Sequence, residues 1–297
     1  MKQAAPIPEA GEWFRPYRSS LLRDAIRRLL RDKLALIGLV ILGLFVLTAI
    51  LAPVLAPHDP LAQTLLDRRQ PPSAKYLLGT DDLGRDLLSR IIYGTRKSLQ
   101  VGVLSVSLAI LVGAFIGALS GYLGGWVDTL VMRLMDIMLA FPALLLAIAI
   151  VTILGPGLLN MLYAIAIVSI PVYARIVRAS VLRVKAEDYI LASRAVGVGP
   201  GRILFRHVLP NCLTPLIVQG TLGIGTAILD AAGLSFLGLG AQPPEPEWGA
   251  MLGQGRFAVF SAPHIVLFPG LAIMLTVLGF NLLGDGLRDA LDPRLRL

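Results

Sequence analysis

Two acids, Asp136 and Asp230, sit inside long apolar runs of this 297-residue chain. An acid held at membrane depth is the hallmark of a proton relay. Asp136 has Arg133 three residues before it, the spacing at which a helix pairs opposite charges, and Asp230 falls toward the outer end of its run. A structural or interfacial role suits both better than proton coupling, which stands as the alternative reading. The three histidines, His58, His207 and His264, are too scattered for a metal cluster, and the single cysteine, Cys212, excludes an internal disulfide. Neither Gly-x-Ser-x-Gly nor His-Glu-x-x-His occurs, so no enzyme signature and no catalytic residue emerge. A phosphate-binding P-loop needs Gly-Lys before Ser or Thr. None of Lys2, Lys33, Lys75, Lys97 and Lys185 follows a glycine, so the chain holds no ATP site of that kind and implies no cofactor of its own.

The elements around these residues are membrane spans. Hydrophobic residues make up 56% of the chain and charged ones 15%, against about a quarter charged in soluble domains. Lipid must therefore be part of the solvent. Six runs approach the ~20 residues that a helical span needs: 34–56, 98–122, 127–154, 158–177, 213–237 and 265–287. The third is interrupted near its start by Arg133 and Asp136, and Pro142 is placed to kink it. The net charge of +8 gathers in segments flanking the runs, which reads as membrane topology rather than nucleic-acid binding. The basic residues before position 34 put the N-terminus in the cytoplasm by the positive-inside rule, and six crossings return the C-terminus there. The stretch 178–211 then falls in the cytoplasm, and its own excess of Arg and Lys agrees. The first run is too long, with too long a charged approach, for a cleaved secretory signal. The organisation expected is a basic cytoplasmic segment 1–33 with an amphipathic helix over 20–33 lying on the membrane lipid, and a first span 34–56. An external loop 57–97, a five-helix domain 98–287 and a cytoplasmic tail 288–297 follow.

The most informative loop runs over 187–210. Glu187 and Asp188 suit the first turn of a helix, Gly197 and Gly199 permit a sharp turn, and Pro200 can open a second helix that Pro210 stops. The expected product is a helix–turn–helix knob with small residues, Ala192, Ser193 and Gly197, near its corner, where another protein's backbone could approach closely. These residues resemble the EAA loop of permeases from ATP-binding-cassette (ABC) importers, whose pattern reads Glu-Ala-Ala-x-x-x-Gly and ends in Ile-x-Leu-Pro. Leu191, Ala192 and Ser193 fall on the first three positions, Gly197 on the glycine, and Leu209-Pro210 on the ending. Leu191, Ser193 and His207 depart from the pattern. The resemblance implies that the loop fits a groove on an ATPase subunit and passes its closure to the membrane helices.

A second string precedes the run at 98. Thr80 or Asp81 can cap a helix, Asp86 and Arg90 have the i,i+4 order of an ion pair, and Leu87, Leu88, Ile91 and Ile92 share a face. Together they predict an amphipathic helix on the outer membrane surface. The string Gly79-Thr80-Asp81, Gly84-Arg85-Asp86 and Ser89-Arg90 closely resembles the signature of C-type permease subunits of the dipeptide, oligopeptide and nickel importer family. The likeness continues through 234–240 and through Pro246-Glu247-Trp248-Gly249, and it closes with 281–293. It implies an all-α integral membrane protein of the type I ABC importer permease fold, in a bacterial or archaeal cytoplasmic membrane. Implied partners are a homologous B-type permease, two ATP-binding subunits carrying ATP and Mg, and an extracytoplasmic solute-binding protein. The cargo expected from the resemblance is a di- or oligopeptide or a related solute, and the rival is a proton-coupled peptide transporter using Asp136 and Asp230. Asn281, Gly284, Asp285 and Gly286 either pack the inner end of the last span or line a cytoplasmic gate. The segment 241–263, with Trp248, is expected to face the binding protein or shape the outer vestibule. No residue is singled out as a substrate ligand.

Overall fold

The computed structural model describes residues 26–291. Residues 1–25, with the first part of the expected amphipathic helix 20–33, and residues 292–297 of the tail lie outside the described residues; of the rest of that helix, 26–29 are helical. Everything of regular structure within them is helical, apart from one isolated bridge between Thr80 and Asp86.

Helix α1 (Lys33–Ile50) begins at Asp32, whose carboxylate accepts from the Leu34 N–H at 2.9 Å. It is apolar all round, yet only Ala35, Gly38 and Leu42 are buried, one narrow stripe laid on the last helix. Arg96 reaches back to the carbonyls of Ala49 and Ile50, satisfying acceptors that a helix C-terminus leaves open. A single turn, α2 (Ala52–Leu55), leads into the loop that precedes residue 87.

Helix α3 (Leu87–Leu123) has 37 residues, about 55 Å at 1.5 Å per residue, and so exceeds the ~30 Å hydrocarbon layer. It packs along α6 (Leu158–Lys185) through glycines at four-residue spacing. A methyl group at Gly113 would stand 2.8 Å from the Ile170 carbonyl, one at Gly117 would overlap the Ala174 backbone, and one at Gly121 would meet the Arg178 carbonyl at 3.1 Å. Small residues at this spacing let helix backbones touch in a membrane, where burial of apolar surface no longer drives association.

The expected third span is two helices, α4 (Gly125–Ala140) and α5 (Ala143–Leu154), bent by 95°. Pro142 has no N–H to give and forces the residue before it out of the helical region, so Phe141 is extended. The position of the break is the one expected. Its size is a full right-angle turn rather than a kink. Five helices are long and apolar enough to cross a membrane, or six if this bent pair counts as one span.

After α6 come α7 (Asp188–Ala195), a short turn α8 (Pro200–Arg202), a π-helical stretch Ile203–Val208, and α9 (Leu209–Phe236). Pro210 does not end a helix as expected; it lies in the first turn of α9. The wider π turn just before it accommodates a ring that an uninterrupted α-helix would press against the carbonyl four residues back. Helix α10 (Trp248–Gly255) packs against α3, α9 and α11 (His264–Leu291). Trp248 is wholly buried, its indole N–H donating to the Ile91 carbonyl at 3.1 Å. The outer-vestibule expectation therefore fails for this side chain, which is a core anchor.

Candidate functional site

The knob, residues 187–210, keeps the expected first helix and glycine turn, but its second helix is one short turn, α8, followed by a π-helical stretch that runs on into α9. Glu187 occupies the N-cap of α7 and Asp188 its first turn, where negative charge meets the positive end of the helix dipole. Gly197 turns the chain at φ +80°, a left-handed conformation open to glycine at little cost. Pro200 opens α8. Ile190, Ile203 and Val208 are buried and pin the knob to the helix bundle. Leu191, Ala192 and Gly197 are exposed, Ser193 is half-buried, and a methyl group added at Gly197 would meet nothing within 4 Å. The corner is thus a free surface of small residues, while Leu209 and Pro210 lie at its junction with α9.

Behind the knob is a cavity of about 990 Å³ between α6, α7, α9 and α11. Arg183, Glu187, Tyr189, Asn211, Gln219 and Arg288 line it. A displacement of the knob relative to these helices therefore changes the shape of a polar space at one end of the bundle.

The C-terminal end of α11 divides into two faces. Gly284 is buried, and a methyl there would stand 2.5 Å from Leu222 of α9; at Gly286 it would overlap Ala35 of α1. These two glycines are where α11 touches its neighbours. Asn281 and Asp285, one turn apart on another face, are exposed.

On the opposite side, the signature string is a buried polar knot rather than a surface helix. Asp81 does not cap a helix. Its carboxylate accepts from the Leu83 and Arg85 N–H groups at 2.9 and 3.0 Å and from Arg85 Nε at 2.7 Å, with Arg90 Nε at 3.5 Å. The expected Asp86–Arg90 pair does not form. Asp86 caps α3 instead, accepting from the Ser89 N–H at 2.9 Å and its hydroxyl at 2.6 Å. Arg90, 1% exposed, reaches the Pro60 carbonyl at 3.1 Å. Arg85 donates to Gln254 Oε1 of α10 at 3.1 Å, a contact across 169 residues. Thr80 accepts from the Gln70 N–H at 2.8 Å. Gly79 and Gly84 turn at φ +84° and +72° with backbone packed where a side chain would be. Lys75 and Tyr76, hydrogen-bonded to Asp67 at 2.8 Å each, hold its carboxyl below the usual carboxylate range. Burial and pairing of this density make the string a clamp that fixes the segment 57–86 to α3, α10 and α11.

The two intramembrane acids separate. Asp136 pairs with Arg175 of α6 at 2.7 Å, not with Arg133 as the spacing suggested, because the α4–α6 contact brings a cation closer than its own helix does. A second pair that went unnoticed in the sequence, Asp128 with Arg178, is bidentate and joined by Ser120. Asp230 has no hydrogen-bond or ion-pair partner among the described residues. Two acids with no link between them do not make a relay. Among the described residues no group of acids, histidines and cysteine could hold a metal.

Residues 109–297 match the family described as the binding-protein-dependent transport system inner membrane component, and residues 20–72 match the N-terminal TM domain of oligopeptide transport permease C. The chain belongs to this family of inner-membrane permeases. It is 55% identical over 274 residues to the dipeptide transport system permease protein DppC of Alkalihalophilus pseudofirmus, covering 92% of this chain and 90% of that one. Against the glutathione transport system permease protein GsiD of Pectobacterium atrosepticum the identity is 48% over 275 residues, covering 92% and 91%. In fold it resembles a chain of the inward-facing MetNI methionine ABC transporter, with a TM-score of 0.57 at 19% identity over 68% of this chain and 96% of that one. The permease is therefore a membrane component of an ABC importer, all-helical and of the type I class. The proton-coupled alternative finds no support.

Proposed function

We propose that this permease is one of two halves of a peptide-conducting channel in the cytoplasmic membrane, crossing it six times with both termini in the cytoplasm. The bent pair α4–α5 serves as the third span in this reading. The other half is a homologous B-type permease, two ATPase subunits carrying ATP and Mg supply the work, and an extracytoplasmic binding protein delivers the cargo. Di- and oligopeptides are the cargo class best supported, since the relatives named for dipeptide and glutathione transport align over nearly the whole chain.

The observation that carries the coupling role is the knob 187–210. Its exposed small-residue corner matches the EAA spacing, and its buried face borders the cavity between α6, α7, α9 and α11. An ATPase groove gripping Ala192, Ser193 and Gly197 would push on Ile190 and Ile203, and through them on the helices around that cavity. Switching between two packed arrangements is how such a push opens one end of a channel and closes the other. Asn281 and Asp285 stand on an exposed face of α11 at that end, where a gate would close. The chain supplies no chemistry of its own; binding and hydrolysis of ATP belong to its partners.

Extraction of the tagged chain in mild detergent, followed by mass spectrometry of what co-purifies, tests this reading. A second permease together with Walker-motif ATPases is expected. The chain recovered alone, from cells that express its neighbours well, contradicts it.

A further inference from the structure

The Asp136–Arg175 pair joins α4 to α6. Both side chains are 54% exposed although they lie 2.7 Å apart. The joining of α4 to α6 is already secured two turns away by the bidentate, better-shielded Asp128–Arg178 pair, where the carboxylate is only 14% exposed. A half-exposed ion pair inside an apolar span does not face lipid; such groups face the protein interior or a water-filled cavity and mark the route of polar cargo.

A second observation points to the same side. Ala140, one turn from Asp136 and on the same face, is exposed and is the last residue before the right-angle break. Phe141 and Pro142 are exposed and non-helical, and the Phe141 N–H reaches the Met138 carbonyl only at 3.4 Å. Open backbone within a span is tolerated where protein covers it or water lines it, not against hydrocarbon. Charge and broken backbone thus share one stretch of about 7 Å along α4.

We propose that Asp136 and Arg175 line the water-filled path and receive the two charged ends of a passing peptide, the carboxylate of Asp136 taking the ammonium and the guanidinium of Arg175 the terminal carboxylate. This rests on the peptide-importer reading above. An unmodified peptide carries both charges near neutral pH, and an extended dipeptide spans at most ~7 Å, a gap that a parted Asp–Arg pair can bridge. The guanidinium fork suits a carboxylate bidentately. The pair closed on itself is then the resting state, and cargo opens it by replacing each partner with its own.

The test uses the assembled transporter with Cys212→Ala, which leaves the chain free of cysteine, and single cysteines introduced at Asp136 or at Ala140. Ala140→Cys leaves the ion pair intact, so it reports on the face even where Asp136→Cys disturbs assembly. A membrane-impermeant thiol reagent should label both sites in the complex, and saturating dipeptide with its binding protein and ATP should slow the labelling several-fold. Absence of labelling at both sites, or labelling that dipeptide leaves unchanged, overturns the proposal. The exchange Asp136→Arg with Arg175→Asp supplies a second readout. Restoring the pair with its polarity reversed should leave uptake of a free dipeptide at least tenfold below wild type at an unchanged level of assembled complex. Wild-type uptake in the exchanged protein shows a staple and nothing more, which also overturns it. A wild-type complex that moves no peptide at all, with labelling intact, sinks the functional reading and the proposal with it; labelling without protection in a complex that does move peptide sinks the proposal alone.

Discussion

Gly197→Trp is the sharpest perturbation of the coupling knob. Gly197 stands at φ +80°, and a β-carbon added there would meet nothing within 4 Å, so a side chain can leave the corner without an immediate clash. Two costs remain. Holding an L-residue in the left-handed region costs about 1–2 kcal/mol. Forcing an indole into a close-packed interface costs about 1–3 kcal/mol more, and that term exists only where a partner covers the corner. The strain is present in free and docked permease alike and cancels from docking, so the second cost alone, ~1–3 kcal/mol, corresponds to roughly 5- to 150-fold weaker docking of the ATPase. Gly197→Ala carries the first cost alone, so the two variants should differ by about 5- to 150-fold. Retention of the ATPase subunits on the purified permease and ATP-dependent uptake, measured at equal membrane levels, read the effect directly. Equal retention for Trp, Ala and wild type would show that no partner sits on this corner and would refute the docking argument.

Other expected outcomes follow from the packing. Asp81→Asn leaves Arg85 and Arg90 buried without their carboxylate and should cost about 3–5 kcal/mol, lowering the melting temperature of the purified complex by on the order of 10 °C. Asp82→Asn, whose pair with Arg69 is about one-third exposed, should cost under ~1 kcal/mol in the same melt. Gly117→Val pushes a side chain into the Ala174 backbone and should lower the yield of folded, monodisperse protein in detergent sharply, whereas Gly43→Val, with open space around it, should not. Pro210→Ala removes the reason for the π turn at 203–208, and the knob should then rotate relative to α9. Uptake per ATP hydrolysed should fall while insertion and assembly remain normal.

Much of the frame was legible because the bilayer imposes it. Apolar runs of about 20 residues mark spans whatever packs against them, and α1, α3, α6, α9 and α11 fall where the runs do. The knob was legible because its signals are local: acids at a helix start, a glycine turn, a proline opening. What escaped depends on partners distant in sequence. Spacing within one helix offered Arg133 to Asp136 and Arg90 to Asp86, but Arg175 and Asp81 from other elements stand closer. The surface-helix reading of 80–92 failed for the same reason, since Gln254, Pro60 and the Trp248 ring bury its polar and apolar faces alike. Pro142 fixed where α4 ends but not the direction in which α5 leaves, which the contacts of α5 decide. The Gly113, Gly117 and Gly121 stripe went unread in the sequence although its four-residue spacing marks the α3–α6 contact.

The measurement that bears most directly on the central claim is uptake of a labelled dipeptide into proteoliposomes holding the co-purified complex and its binding protein. Uptake that requires ATP on the cytoplasmic face, and that an imposed proton gradient neither replaces nor increases, is the predicted result. Uptake driven by the gradient without ATP would contradict the account.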